Sequence, residues 1–258
     1  MITKAKLQVD VPDSGKEWFE TWFDSPYYHI LYSNRDEKEA EFFLGNLINC
    51  LNPAPEAKIL DVACGKGRHA IYLNNLGFSV TGYDLSESNI AHTRQFENER
   101  LNFFLHDMRE EFVVNYFDVV LNLFSSFGYF DTEHENFRAL NANVKALKDG
   151  GYFVLDFFNA GLVRKKGNIT EFKEISGINF EIEKVITDRH VIKRIKFTDS
   201  DGRTQNFEEH LMLYTPDHIS DYFNNCGLKI IHKFGNYRLE NFNSENSERF
   251  ILIGRKEK

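Results

Sequence analysis

The chain has 258 residues and a formal net charge of −8, from 31 Lys plus Arg against 39 Asp plus Glu, which disfavours binding to a nucleic-acid backbone. Its 42% hydrophobic and 27% charged residues are those of a globular chain large enough to bury a core without disulfide or metal staples. No apolar run is long enough to span a bilayer, residues 1–6 lack a signal-peptide core, and Cys50, Cys64 and Cys226 form neither a disulfide framework nor a zinc pattern, so one cytoplasmic core domain with additions is expected.

Residues 1–14 show no periodicity and read as a loose arm. Residues 16–32 are dense in aromatics (Trp18, Phe19, Trp22, Phe23, Tyr27, Tyr28, Tyr32), and Pro26 is expected to end a short helix there, because the residue before proline is pushed out of the α region. Ala40, Phe43, Leu44, Leu47, Ile48 and Leu51 recur at helical spacing until Asn52-Pro53 stops the helix. An alternation of strands and helices follows: strand 58–62, helix 67–76 closed by Gly77, strand 78–83, and a helix over 86–98 capped by Ser86. Strands 103–106 and 117–123 come next, then a helix with the stripe Phe137, Leu140, Val144 and Leu147, and a Gly150-Gly151 turn into strand 152–157. Such a pattern implies right-handed crossovers and a parallel sheet covered on both faces.

After Asn159 the rhythm changes. Segments 180–187, 191–197 and 206–214 are strand-like, with a further strand in 170–176, and form an antiparallel insertion. The basic stretch 189–196 alternates with apolar residues and reads as the wet face of a strand. A helix over 216–225, with Pro216 in its first turn, and strands 228–234 and 249–253 resume the core.

The chemistry concentrates in Asp61-Val62-Ala63-Cys64-Gly65-Lys66-Gly67-Arg68-His69, where a buried strand runs through a glycine turn into a helix. Glycine permits the tight turn and lets a ligand approach the backbone at a helix N-terminus. The pattern alone also fits a dinucleotide fingerprint. Asp84 ends the second strand and Asp107 the third, so three carboxylates are expected along the rim where open parallel sheets bind ligands. That suits a ligand with an ammonium, a ribose and an adenine amino group better than one with two phosphates. The packing alternatives are that the turn only joins strand to helix, that Asp61 caps the helix, that Cys64 is a small filler, and that Arg68 and His69 lie on the surface.

The stretch 59–70 resembles motif I of class I, Rossmann-like S-adenosylmethionine-dependent methyltransferases. Tyr83-Asp84-Leu85-Ser86 resembles the acidic motif that follows, and His106-Asp107-Met108-Arg109 the adenine-contacting segment. Leu147-Lys148-Asp149-Gly150-Gly151 resembles the turn into strand 5, and 222–228 the last helix and reversed hairpin. Ala63-Cys64 stands where many members have a further glycine. The resemblance implies an α/β, doubly wound, seven-stranded, mostly parallel sheet with a reversed last strand, an N-terminal helical cap and a small antiparallel β insertion. The corresponding division is cap 1–54, cofactor-binding core 55–165 and 215–258, and substrate lid 166–214.

By the same resemblance S-adenosylmethionine would contact Asp61, Ala63, Cys64, Gly65 and Gly67 through its methionyl part and Asp84 through its ribose. Leu85, Asp107 and Met108 would lie by the adenine, with Leu123 and Phe124 beneath the sulfonium. Methyl transfer to nitrogen or oxygen is a direct displacement in which a general base is optional, so no catalytic residue is assigned. The candidates are Tyr28, His29, Asn159 and His210, with Tyr27, Tyr32, Glu209 and Tyr214 around the same mouth; packing is the alternative for each. The nine histidines show no metal spacing. The expected partner is a small-molecule methyl acceptor, without nucleic acid or membrane and with no oligomeric state indicated. Two other functions fit: an NAD(P)-dependent oxidoreductase, and a non-catalytic S-adenosylmethionine-binding protein.

Overall fold

Two short helices, α1 (Trp18–Trp22) and α2 (Pro26–Leu31), precede a longer one, α3 (Glu37–Leu51); the computed structural model describes residues 17–33 and 37–257. The arm expected over residues 1–14 lies outside the described residues. A short helix, α1, does end before Pro26, with Ser25 extended as expected, and Pro26 also opens α2. A proline in the first turn gives up only an N–H that has no helical partner, and Ser25 Oγ caps the turn by accepting from Tyr27 N–H at 3.2 Å.

Strands β1 (Lys58–Val62), β2 (Ser79–Asp84), β3 (Leu101–Leu105), β4 (Phe117–Asn122) and β5 (Leu147–Phe158) pair in parallel. A second, antiparallel sheet holds β6 (Ile169–Ile175), β7 (Ile178–Ile186), β8 (His190–Thr198) and β9 (Thr204–Met212). The main sheet is completed by β10 (Leu228–Phe234) and β11 (Arg249–Lys256), in the order β10-β11-β5-β4-β1-β2-β3. Because β11 runs antiparallel to both neighbours, it alone is reversed. The sheet is covered on both faces, which is why β1 is buried at consecutive positions. One face packs Ile59, Val119 and Leu121 against Phe43, Leu44 and Leu47 of α3 and Ala70 and Leu73 of α4 (Arg68–Asn75), with Ile90 of α5 (Glu87–Thr93) beside them. The other packs Leu60, Val120 and Leu155 against α6 (Glu133–Lys145), through Leu140 and Val144, and onto further helical side chains at Ile219 and Phe223.

Local differences from the expected elements have local causes. The α5 helix gives way to a 3₁₀ turn at Arg94–Phe96, and Leu147 leaves the helical stripe to start β5, pairing with Phe117. Gly151 follows at a backbone crossing where an added Cβ would meet Lys148 O at 2.9 Å and Asp118 O at 3.0 Å. Helix α7 (Ala160–Lys166) was not expected, and the last helix, α8 (Pro216–Asn225), was.

The third core joins segments distant in sequence. Trp22 and Leu31 from the N-terminal helices pack with Phe180, Ile182, Ile195 and Phe197 of the antiparallel sheet. Trp22 is fully buried, and its indole N–H donates to Glu209 Oε1 at 2.8 Å. Thus α1 and α2 pack on the inserted sheet, with Phe19 of α1 also reaching Phe130 and, on α6, Ala139, while α3 packs on the main sheet.

Candidate active site

The glycine turn lies at the carboxyl ends of β1 and β2 and is held by backbone bonds. Cys64 N–H donates to Tyr83 O at 2.9 Å, and Gly67 N–H to Cys64 O at 2.9 Å. Asp84 ties the turn to the next helix: Oδ2 accepts from Gly65 N–H and Oδ1 from Ser86 N–H, each at 2.9 Å. Burial pushes the Asp84 carboxyl above its ordinary value, against the pull of those two bonds. Gly67 serves the packing as well as the turn. It has φ +81°, and an added Cβ would meet the Phe103 ring at 2.9 Å, whereas a Cβ at Gly65 would meet nothing within 4 Å.

Beside this turn is a cavity of about 210 Å³ whose lining includes Ala63, Asp84, Leu85, Asp107 and Met108, closed on the other side by Phe19, Phe23, Tyr129 and Phe130. Asp107 accepts from Arg109 Nε at 3.0 Å and Nη2 at 2.7 Å. Burial raises its pKa, but the hydrogen bonds and charge of Arg109 outweigh this and hold it below the ordinary carboxylate value. The guanidinium sits 4.6 Å over the Phe130 ring and reaches Glu17 at 3.1 Å. Ser86 Oγ donates to Asp24 Oδ1 at 2.6 Å, fastening the α1–α2 turn over the cleft.

Asp61 does not line this cavity, so two of the three expected carboxylates share it. The strand alternation turns Asp61 toward α4, where Oδ1 lies 3.8 Å from His69 Nδ1 and Phe124 stacks on the imidazole at 5.0 Å. His69 is therefore buried, not a surface residue, and Gly67, not Asp61, occupies the helix N-cap. Among the described residues neither Asp61 Oδ2 nor His69 Nε2 finds a hydrogen-bond partner. The Cys64 side chain points into the core against Gly82, leaving only its backbone in the turn. Phe124 and Ser125 both have positive φ (57° and 62°) and are pinned by Asp156: Phe124 N–H donates to its Oδ2 and Ser125 N–H to its carbonyl oxygen, each at 2.9 Å. Two consecutive non-glycine residues in that region are strained.

A second cavity, of about 320 Å³, lies between the inserted sheet, α2, the segment after β4, and Arg249 of β11. Phe23 and Tyr129 line both cavities and contact each other at 5.2 Å between ring centroids. Glu209, 7% exposed, accepts from Tyr32 Oη at 2.6 Å as well as from Trp22, and Lys193 bonds the same phenol. Arg249 Nε donates to the buried Asp156 at 2.7 Å and Nη2 to Ser125 Oγ at 3.0 Å.

Known proteins resemble this chain over the same segments. A family model described as "Methyltransferase domain" matches residues 59–151, from β1 through the glycine turn, Asp84 and Asp107 into β5. The glycine/sarcosine N-methyltransferase of Parasynechococcus marenigrum (strain WH8102) is 26% identical over 94% of this chain and 85% of its own length. The dTDP-3-amino-3,4,6-trideoxy-alpha-D-glucopyranose N,N-dimethyltransferase of Streptomyces venezuelae is 34% identical over 40% of this chain and 43% of its own. The crystal structure of an S-adenosylmethionine-dependent methyltransferase from Clostridium acetobutylicum ATCC 824 shares the fold, with a TM-score of 0.76 and 21% identity over 90% of this chain and 96% of that one. Residues 59–151 thus match a methyltransferase domain, and the chain is an S-adenosylmethionine-dependent methyltransferase of Rossmann-like fold.

The oxidoreductase and non-catalytic readings fall with that assignment, and S-adenosylmethionine is the cofactor. The residues fit such a group: an orphaned buried carboxylate oxygen and an orphaned imidazole nitrogen lie under the glycine turn, beside a cavity bordered by two more carboxylates. The methyltransferase's other candidate residues divide. Tyr28 and Glu209 line the second cavity, as does Tyr32. His29 Nε2 is 3.1 Å from Asn89 Oδ1, and its pKa is lowered by burial and then by Lys66. His210 stacks on Trp18 and pairs with Glu208 at 2.8 Å.

Tyr27 packs on Phe197, and Tyr214 is core, beside Phe127 and Tyr222. The Asn159 side chain caps α7. Its Oδ1 accepts from Gly161 and Leu162 N–H, and its Nδ2 donates to Ser244 and Ser247 carbonyls, which occupies the side chain. Leu123 is buried in the core. Phe23, Tyr129, Lys193 and Arg249 were not among the candidates; the aromatic density before α2 was a signal for Phe23, whereas tertiary contacts place the others.

Proposed function

We propose that the methyltransferase moves a methyl group to the amine nitrogen of a small molecule bound in the 320 Å³ cavity. One observation carries this: that cavity and the cleft of Asp84 and Asp107 share the Phe23–Tyr129 wall. A donor on one side and an acceptor on the other would thus meet at a boundary lined by aromatic rings. Nitrogen is favoured over oxygen by the two relatives named above, which are both N-methyltransferases.

When bound, S-adenosylmethionine supplies an electrophilic methyl on a sulfonium, displaced in line by the nitrogen lone pair. For this chain we assign Asp84 to the ribose and Asp107, Leu85 and Met108 to the adenine end. Ala63, Gly65 and Gly67, with the orphaned Asp61 oxygen, would hold the methionyl end. Phe124 and Tyr129 face the site of reaction, and their rings, with Phe23, exclude water and stabilise the cationic nitrogen that methylation creates. Glu209 places a buried carboxylate in the lining of the 320 Å³ cavity. Residues 166–214 would act as the lid together with α1 and α2, whose aromatic core they share.

The net charge of −8 supports a small acceptor over a nucleic acid, and three free cysteines support a cytoplasmic setting. Among the described residues no helix is long and apolar enough to cross a membrane. The test is transfer of a labelled methyl from S-adenosylmethionine to a panel of matched small amines and alcohols. Labelled amine supports the proposal. Label confined to the alcohols, or found only in macromolecules, overturns it.

A further inference from the structure

In β8 the residues turned toward the N-terminal helices are Val191, Lys193, Ile195 and Phe197; in β7 they are Phe180, Ile182, Lys184 and Ile186. Each apolar row is interrupted once, by a lysine, and the two lysines are direct cross-strand partners. The stretch 189–196 is therefore not simply a wet face: Arg194 and Lys196 are exposed, but the Lys193 side chain is 13% exposed and turned inward. Like charges directly opposite each other destabilise a strand pair, so this register calls for negative charge between them.

The protein supplies part of it. Glu171 pairs with Lys173 at 3.0 Å and with Lys184 at 3.4 Å, and Glu209 Oε2 lies 3.7 Å from Lys193. Arg249 is matched by Asp156 at 2.7 Å. Glu39 adds its negative charge at Arg249, so that side is matched; on β6 and β7 one glutamate, Glu171, is shared by two lysines, Lys173 and Lys184. The Phe23–Tyr129 wall, by contrast, is aromatic and borders the cofactor cleft.

We propose that Lys173, Lys184 and Lys193 form an anion subsite in the acceptor cavity, so that the acceptor is an amine carrying a carboxylate or phosphate group. The amine faces the aromatic wall while the anion rests on the lysines. Both groups are then compensated, and the nitrogen is oriented toward the methyl. Ammonium groups of lysine bind carboxylate and phosphate alike as point charges, so the chemistry shared by the two sources is the anion. The inference rests on the amine reading of the same site.

The test uses the full chain saturated with S-adenosylhomocysteine and titrated by calorimetry with acetate, orthophosphate and pyrophosphate. At least one anion binds saturably to wild type, and binding weakens tenfold or more in K173M/K184M, with S-adenosylhomocysteine affinity unchanged within twofold. The preferred anion separates carboxylate from phosphate. K184R retains the charge and keeps the binding, which distinguishes lost charge from disturbed folding. No saturable binding of any of the three, or equal binding by the double variant, overturns the subsite. In a parallel assay, amino acids are compared with their amides, and amino sugars with their phosphates. If the anions bind through the lysines but no amine is methylated, the amine reading fails and the subsite stands. If charged and neutral amines are methylated equally and the lysine variants leave KM unchanged, the subsite fails and the amine reading stands.

Discussion

Replacing Asp84 by Asn separates two tasks that the structure gives to one carboxylate. Its oxygens accept from Gly65 and Ser86 N–H at 2.9 Å each, and the same group borders the 210 Å³ cavity proposed for the cofactor. Asn offers one oxygen acceptor and turns an NH₂ toward the other donor. Loss of a bond to a charged group costs about 1.5–3 kcal/mol, so the Kd for S-adenosylhomocysteine should rise roughly 10- to 150-fold. An unsatisfied loop N–H adds a stability loss of about 1–3 kcal/mol, so folding is also affected. Calorimetry well below the melting transition reads the first effect and urea denaturation the second. Unchanged affinity would refute the ribose role, and unchanged stability would refute the tie between turn and helix.

The same residue has a pH signature. Burial raises its folded-state pKa above the unfolded value, so its contribution to stability is present below the ordinary aspartate range and is lost as pH rises through the raised value. Cofactor affinity moves the other way, because the ionised carboxylate is the better acceptor. It should fall on acidification before pH reaches about 3.9, the ordinary aspartate value, and D84N should lack both dependences.

Further expected outcomes probe the neighbouring parts. In N159A, the cap and both carbonyl contacts are lost, and stability should fall by about 2 kcal/mol with kcat near wild type; a tenfold loss of kcat in the folded enzyme would make Asn159 part of the site. W22A empties a fully buried position and removes the Glu209 bond, so a loss of about 3–5 kcal/mol is expected, with turnover reduced far more than cofactor affinity. Equal losses in both would refute a separate lid unit. In R109M the Asp107 pKa should climb toward the ordinary range. In wild type the depressed value means that Asp107 stabilises above its unfolded pKa and that this is lost as pH falls through the folded one. Carboxyl NMR of both proteins checks this, and an unmoved Asp107 resonance would contradict the ion pair.

The parallel core was legible because buried strands, glycine turns and capping residues recur in one order: Ser86 caps α5 by accepting from Asn89 N–H, and α8 occupies the expected 216–225. The helix-starting roles of Pro26 and Asn159 were not legible, for a shared reason. Each sits at a helix start, where the same residue type serves as a stop, a cap or a ligand contact according to its neighbours. Helix α7 has only seven residues, too few for a periodic stripe, although Asn159, the basic last turn and Gly167 form a start and stop signal. At the site, the sequence placed Asp84 and Asp107 on the cleft but could not show that Asp61 turns toward His69 or that Cys64 faces Gly82. The 320 Å³ cavity proposed for the acceptor was the least legible part, because Trp22, Lys193 and Glu209 meet only through tertiary packing and strand register.

The most direct measurement is a crystal structure of the chain with S-adenosylhomocysteine bound. The ribose should meet Asp84, and the sulfur should face the Phe23–Tyr129 wall and open onto the cavity of Lys193 and Glu209. A sulfur directed away from that cavity, or a ligand outside the Asp84–Asp107 cleft, would contradict the account.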